Sequence, residues 1–200
     1  MNPGRLLLSV AACSLLVACA SPRPQLPEVP PGKLYEGGYI NIRAPGSDGW
    51  RLVGSSPQGM AFGKTGLAAG ETRSALVSMF DLRPTQTPEE FVALIKEGID
   101  KNADPKRFDA IESSMTYTEE RGYPCARHHG LYRDKEAVTS PTTKDALLLE
   151  MSSLYCRHPV RVTTGFASIY SYRGRSRYAP LEQEAQDFIK GVQVPPPHPS

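Results

Sequence analysis

The sequence is short of net charge and of long apolar runs. Its 200 residues include 23 basic and 21 acidic side chains, which gives a formal net charge of +2. A nearly neutral chain has no field that would draw it onto nucleic acid. The apolar run at residues 6–17 is too short to stay in a bilayer as a spanning helix. The length fits one domain that can bury a real core.

Familiar catalytic and cofactor motifs are also missing. Gly63-Lys64-Thr65 is similar to the end of a phosphate-binding loop, but Gln58 stands where that loop requires a glycine. The sequence contains no Gly-x-Ser-x-Gly. Nothing among the four histidines and four cysteines has the spacing of zinc ligands. We therefore predict no catalytic residue, no metal site and no cofactor, and we favour a protein that is not an enzyme.

The first residues have the pattern of an export signal. Arg5 is followed by the apolar run and then by Leu16-Val17-Ala18-Cys19. This tetrapeptide resembles the lipobox of bacterial lipoproteins. The resemblance implies removal of signal peptide residues 1–18, a diacylglycerol on Cys19, and a further acyl chain such as palmitate on the new amine. The alternative is an ordinary secretory signal with a chance cysteine.

Several acyl chains hold a protein durably on a membrane. Residue Ala20 follows the cysteine, where an Asp would resemble an inner-membrane retention signal. We therefore expect a lipoprotein anchored to the cell outer membrane and facing the periplasm, with the inner membrane and the cell surface left open.

Proline divides the mature chain into three parts. Residues 19–38 comprise Cys19 and a proline-rich tether, and residues 195–200 form a proline-rich tail that we expect to be disordered. Between them, residues 39–194 are predicted to be a single α/β domain.

Hydrophobic periodicity predicts the elements of that domain. Thr87-Pro88-Glu89-Glu90 carries the signals of a helix N-terminus, and Pro180 begins a second helix that ends at Gly191. Strands are predicted at residues 39–43, 49–53, 59–63, 74–82, 108–118, 123–133, 146–157 and 160–172, of which 74–82 is expected to be buried on both faces.

This order of elements implies an α+β fold, with an antiparallel sheet of about six to seven strands packed with two helices. With Gly49-Trp50 early in the chain, it resembles the Mog/PsbP-like α/β sandwich. The resemblance implies an accessory or binding protein rather than an enzyme.

Cys125 and Cys156 are the two cysteines that remain once Cys19 is lipidated. An even pair in an oxidising compartment favours a disulfide bond. A hairpin that sets them directly opposite each other also pairs Tyr132 with Leu149 and Leu131 with Glu150. Its loop would then lie at residues 134–145. If Cys125 were instead a free thiol, His128 or His129 could serve as its base.

Two further clusters of side chains are candidates for function. His128 and His129 are adjacent on a predicted strand, so their side chains point to opposite faces and cannot easily share a metal ion. Arg173, Arg175 and Arg177 form a local basic cluster, either a solvated loop or a contact site for an acidic partner.

We predict a non-catalytic binding or accessory protein of the cell envelope, with an envelope protein as its partner and no nucleic acid. The alternatives are a small-ligand carrier or sensor and an envelope hydrolase.

Overall fold

The computed structural model of the chain describes residues 26–140 and 143–195. The predicted signal peptide, Cys19, the first part of the tether, Pro141-Thr142 and residues 196–200 lie outside the described residues. The described elements, in chain order, are β1 Leu34–Tyr35, β2 Asn41–Arg43, β3 Arg51–Ser56, β4 Gly59–Thr65, β5 Thr72–Asp81, α1 Pro88–Asn102, β6 Phe108–Thr118, β7 Cys125–Ser140, β8 Thr143–Arg157, β9 Thr164–Gly174, α2 Leu181–Lys190 and β10 Val192–Gln193.

Seven strands form the main sheet, in the order β3-β4-β5-β9-β8-β7-β6, and every neighbouring pair is antiparallel. Three short strands form a second sheet in the order β1-β2-β10. The α+β class, the antiparallel sheet and the two helices are thus confirmed. The strand total is higher than expected because β1 and β10 are too short to show a periodic pattern in the sequence.

The strands β7 and β8 pair in the predicted register. Cys125 lies opposite Cys156, Leu131 opposite Glu150 and Tyr132 opposite Leu149. The predicted loop at residues 134–145 is wrong, however, because pairing continues through two irregularities as far as Ser140 and Thr143. Asp134, expected in that loop, is instead fully buried beneath two arginines.

One face of the main sheet, here called the α2 face, is sealed by α2 and the small sheet. The predicted apolar stripe of α2 is buried, and Gly191 caps the helix as expected. Below it lie the fully buried aromatic rings of Trp50, Phe62, Phe166 and Tyr170. Apolar contact across this interface forms the larger core of the domain.

The opposite face, here called the α1 face, is covered only in part. The side chain of Thr87 accepts a hydrogen bond from the backbone N–H of Glu90 at 3.2 Å, so the predicted helix cap is present. Phe91 and Ile95 then pack into a smaller core with the end of β5 and with β7. Because α1 does not extend over the middle of the sheet, Leu76 is only partly buried and Ser74 is exposed. The prediction that β5 is buried on both faces is therefore wrong.

The N-terminal end of the described chain is part of the folded domain. Val29 is buried, and its backbone N–H donates to the carbonyl of Trp50. The backbone of Glu28 forms an isolated antiparallel β-bridge with that of Arg51. The folded part therefore begins within the segment predicted as a tether. Proline lacks an N–H group, but its carbonyl can still accept a hydrogen bond from the edge of a sheet. Here the carbonyl of Pro27 accepts from the N–H of Leu52 on the edge strand β3.

Candidate functional site

A cleft of about 340 Å³ lies between the small sheet and the β3–β4 hairpin. We call it the Ile40 cleft. Its inner wall is apolar and consists of Tyr35, Ile40, Ile42, Met60, Val77 and Met79. Its mouth is formed by residues 36–39 on one side and by residues 55–59 on the other. An apolar wall with polar groups only at the rim is the usual composition of a small-molecule site.

Two glycines at close approaches shape this cleft. Gly59 begins β4 so close to β5 that an added Cβ atom would lie 2.0 Å from the carbonyl oxygen of Val77. An added Cβ atom on Gly37 would lie 2.5 Å from the carbonyl oxygen of Ile40. The mouth loop is also tied down by a hydrogen bond from the N–H of Gly37 to the side chain of Asn41. Both walls therefore depend on positions that exclude a side chain.

His158 connects the rim of the cleft to the β8–β9 loop by hydrogen bonds. Its ring is buried, and its Nδ1 atom accepts hydrogen bonds from the N–H groups of Val160 and Arg161. Nδ1 therefore carries no proton, and the Nε2–H donates to the carbonyl of Tyr39 at 3.3 Å. The Arg161 guanidinium lies over the Tyr39 ring, 3.6 Å from its centre.

A second, more open hollow of about 740 Å³ lies beside this loop. It is lined by Arg121, Tyr123, Pro159, Val160, Lys190, Gln193, Val194 and Pro195. The Arg121 guanidinium donates to the carbonyls of Ile189 and Val192, where α2 ends. A cation suits this position because the free carbonyls of a helix C-terminus carry partial negative charge.

Cys125 and Cys156 are joined by a disulfide bond in the structure, and both are completely buried. Their Cα atoms are 4.0 Å apart across the β7–β8 pair. A disulfide sulfur is not a nucleophilic thiolate, so this arrangement provides no cysteine nucleophile. The bridge lies in the larger core, where it joins the neighbouring strands β7 and β8.

The two adjacent histidines point to opposite faces. His128 is buried on the α1 face, where Nδ1 lies 3.2 Å from the Ser153 hydroxyl and Nε2 lies 3.3 Å from the Tyr132 hydroxyl and 3.4 Å from that of Ser113. Burial lowers the pKa of His128, with a smaller contribution from the neighbouring His129.

His129 lies on the α2 face, 4.0 Å from a carboxylate oxygen of Glu150. Neither cavity described above is lined by either ring. No group of histidine, cysteine and carboxylate side chains that could hold a metal ion occurs in the part of the chain that the structure describes.

The three clustered arginines do not form one basic patch. Arg173 lies 3.1 Å from the fully buried carboxylate of Asp134, and Arg177 pairs with Glu112. Arg175 also interacts with a neighbouring group. Residues spaced by two would share one face of a strand, but β9 ends at Gly174, so only Arg173 lies on the strand and Arg177 lies in the loop that follows.

The sequence did not predict that Asp134 is a buried acid that pairs with two arginines. Arg107 donates two hydrogen bonds to its carboxylate, at 2.8 and 2.9 Å. Burial opposes ionisation of Asp134, but the bonds from Arg107, the backbone N–H of Glu136 and the charge of Arg173 together hold its pKa below the usual value. The two arginine contacts join β7 to β9 and to the residue that precedes β6, and their large sequence separation hides them from any local pattern.

No helix among the described residues is long and apolar enough to cross a membrane. The sequence patterns did not predict the Ile40 cleft, because its walls come from three separate segments of the chain, residues 35–42, 55–60 and 77–79. The only local signals were the glycines at its rim and the alternation of Ile40 and Ile42.

No family model matches the chain, and no curated protein sequence matches it. Solved structures similar to it include the Ran-binding protein Mog1p of Saccharomyces cerevisiae, at 12% identity and a TM-score of 0.46, over 85% of this chain and 96% of that one. A point mutant of Mog1 gives 12% identity and a TM-score of 0.45 with the same coverage. LpqN of Mycobacterium tuberculosis, described as involved in cell envelope biogenesis, gives 18% identity and a TM-score of 0.47, over 86% of this chain and 91% of that one. At such scores we take nothing about function from these likenesses.

Proposed function

We propose that this chain is an exported lipoprotein that acts by binding, and that its ligand places an apolar group in the Ile40 cleft. The cleft is the observation that carries the proposal. The proposal develops the small-ligand alternative. Arg173 and Arg177 are already paired with acids of this chain, so they attract an acidic protein partner less than free arginines would.

The size and lining of the cleft define the class of ligand. A volume of about 340 Å³ is at the lower end of the range of about 300–1,000 Å³ that small-molecule sites occupy. Met60 and Met79 supply flexible, polarisable walls that adapt to an apolar ligand. The rim offers the hydroxyls of Ser55 and Ser56, the Gln58 amide and the Glu36 carboxylate. A single acyl chain or a small aromatic group with a polar end fits this distribution.

The anchor is the second part of the proposal. Lipid on Cys19 would hold the domain at an envelope membrane, for which we propose the outer membrane and a periplasmic orientation. Mass spectrometry of the native protein should find Cys19 as its first residue, with two or three acyl chains attached. An unmodified Cys19, or a chain that begins elsewhere, would remove the anchor and leave the cleft unaffected.

The cleft is tested with an apolar probe. The chain from residue 20 onward, which includes every described element, is purified without lipid and titrated with N-phenylnaphthylamine by calorimetry. We expect one saturable site per chain. Met79→Trp, which fills the cleft, should weaken binding about tenfold or more.

The control is Met151→Trp, since Met151 is also partly buried but lies on the α1 face, away from the cleft. It should bind the probe like the unsubstituted chain. Failure of the unsubstituted chain to bind, or an equal affinity for the Met79→Trp variant, would refute the cleft as the ligand site.

A further inference from the structure

The described N-terminal segment runs toward one end of the main sheet. Glu28 pairs antiparallel with Arg51, and the carbonyl of Pro27 accepts from Leu52, so the chain runs toward the β3–β4 hairpin as it approaches Leu26. Cys19 precedes Leu26 by seven residues. Seven residues span at most about 25 Å when fully extended. An anchor on Cys19 therefore holds this end of the sheet close to its membrane.

The same end carries exposed valines on the β8–β9 loop. Val160 is 66% exposed and Val162 is 60% exposed, although valine is usually buried in a folded domain. The loop leads into β9, which is three strands away from β3 in the sheet. At the usual strand spacing, β9 therefore lies about 15 Å from β3. That distance is within reach of the seven-residue connection.

The segments that carry these valines and Lys190 are positively charged, although the exposed Asp81 lies opposite Thr164 at the start of β9. Residues 157–163 are Arg-His-Pro-Val-Arg-Val-Thr and contain no acid, and neither do residues 190–195, which begin with the exposed Lys190. Arg161 is held on the Tyr39 ring next to the valines. The acids of the neighbouring β6–β7 connection are engaged, since Glu119 accepts from the Tyr117 hydroxyl and Glu120 pairs with Arg127.

We infer that Val160, Arg161, Val162 and Lys190 form a surface that docks on an anionic lipid bilayer. We call this set the valine surface. Apolar side chains that enter the headgroup region, together with cations that meet anionic headgroups, are the two components of interfacial binding. Each contribution is small, but an anchored domain meets its own membrane at high effective concentration. The inference rests on the proposed anchor.

Docking in this way also orients the Ile40 cleft. Tyr39 lines the cleft, and its carbonyl is hydrogen-bonded to His158 at the start of the valine-bearing loop. The mouth of the cleft thus borders the valine surface, so an acyl chain would reach the cleft from the bilayer without crossing open water.

The test uses the lipidated protein in vesicles made of equal parts phosphatidylcholine and phosphatidylglycerol, with brominated acyl chains as quenchers. Val160→Trp places a reporter on the valine surface. Leu67→Trp places one at the opposite end of the sheet, at a residue that is fully exposed in the β4–β5 turn. The native Trp50 is buried and gives both variants the same background. We expect about threefold quenching of the Val160→Trp reporter and almost none of the Leu67→Trp reporter.

Vesicle flotation of the lipid-free chain, at a lipid concentration high enough to float part of it, provides a second measurement that does not depend on the anchor. Replacing Val160 and Val162 together by Asp should lower the bound fraction about fivefold, whereas Leu67→Asp should not change it. Equal quenching of the two reporters, or flotation that the paired Asp variant does not lower, would overturn the inference. So would crosslinking of Val160 to a protein, and not to lipid, in native envelopes. The Met79→Trp variant blocks only the cleft and should still dock, which separates a failure of this surface from a failure of the cleft.

Discussion

The two faces of the main sheet are stabilised in different ways. The α2 face is covered by a helix and a small sheet, and its centre is a continuous set of buried aromatic and aliphatic side chains. The α1 face has a smaller apolar cluster at one end, and its other buried groups include the polar side chains of His128, Ser153 and Asp134 as well as Leu147, which lies opposite Asp134. Apolar packing is non-directional, whereas buried polar groups require specific partners. One face therefore supplies most of the stability, and the other fixes neighbouring strands through hydrogen bonds.

The largest expected difference between the faces comes from deleting a ring. Phe188 is buried on α2 between the rings of Phe62 and Tyr170, so Phe188→Ala should cost about 3–5 kcal/mol of unfolding free energy. Ile169→Ala removes an aliphatic side chain that is only partly buried on the α1 face, and should cost about 1 kcal/mol. Urea denaturation of both variants measures the two costs. Similar costs would show that the two faces are packed equally well.

Reducing the disulfide should have the next largest effect. The bridge closes a segment with a sequence separation of 31 residues in the α2-face core, and its loss should cost about 3 kcal/mol. Urea denaturation with and without a reductant gives this value, and peptide mapping without reduction should recover Cys125 joined to Cys156. A chain carrying both Cys125→Ser and Cys156→Ser is the control, and reductant should not change its stability. Two free thiols in native protein would contradict the bridge.

The smallest effect is a pH dependence that originates on the α1 face. Burial lowers the pKa of His128 in the folded protein, so the unfolded chain binds a proton more readily. The stability that the neutral ring contributes is complete above the unfolded pKa of about 6.5, and is lost as the pH falls from there toward the folded pKa. His128→Gln should flatten the stability profile in that window. Replacing the less buried His129 by Gln is the matched control, and an unchanged slope in the His128 variant would reject this source.

Local sequence signals predicted much of this fold because they act over short distances. Thr87 caps α1, and Leu181 to Ile189 supply the buried stripe of α2, as the periodic pattern indicated. The cysteines predicted the register of β7 and β8, since a cross-strand disulfide requires opposed positions. The hairpin loop was misplaced because residues 134–140 include many polar side chains, which are typical of a loop. Asp134 is buried because the distant Arg107 and Arg173 pair with it, and no local pattern indicates those contacts.

The sequence by itself determined the helices, the long strands and the pairing of β7 with β8, and it predicts an export signal with lipid on Cys19. The tertiary structure alone decided how completely each face of the sheet is covered, and which loops meet at its ends. It also formed the Ile40 cleft, placed Val160 beside Lys190, and paired Arg173 and Arg177 with different acids. Local signals depend on spacing within a turn or a strand, whereas these features depend on residues that only the folding of distant segments brings together.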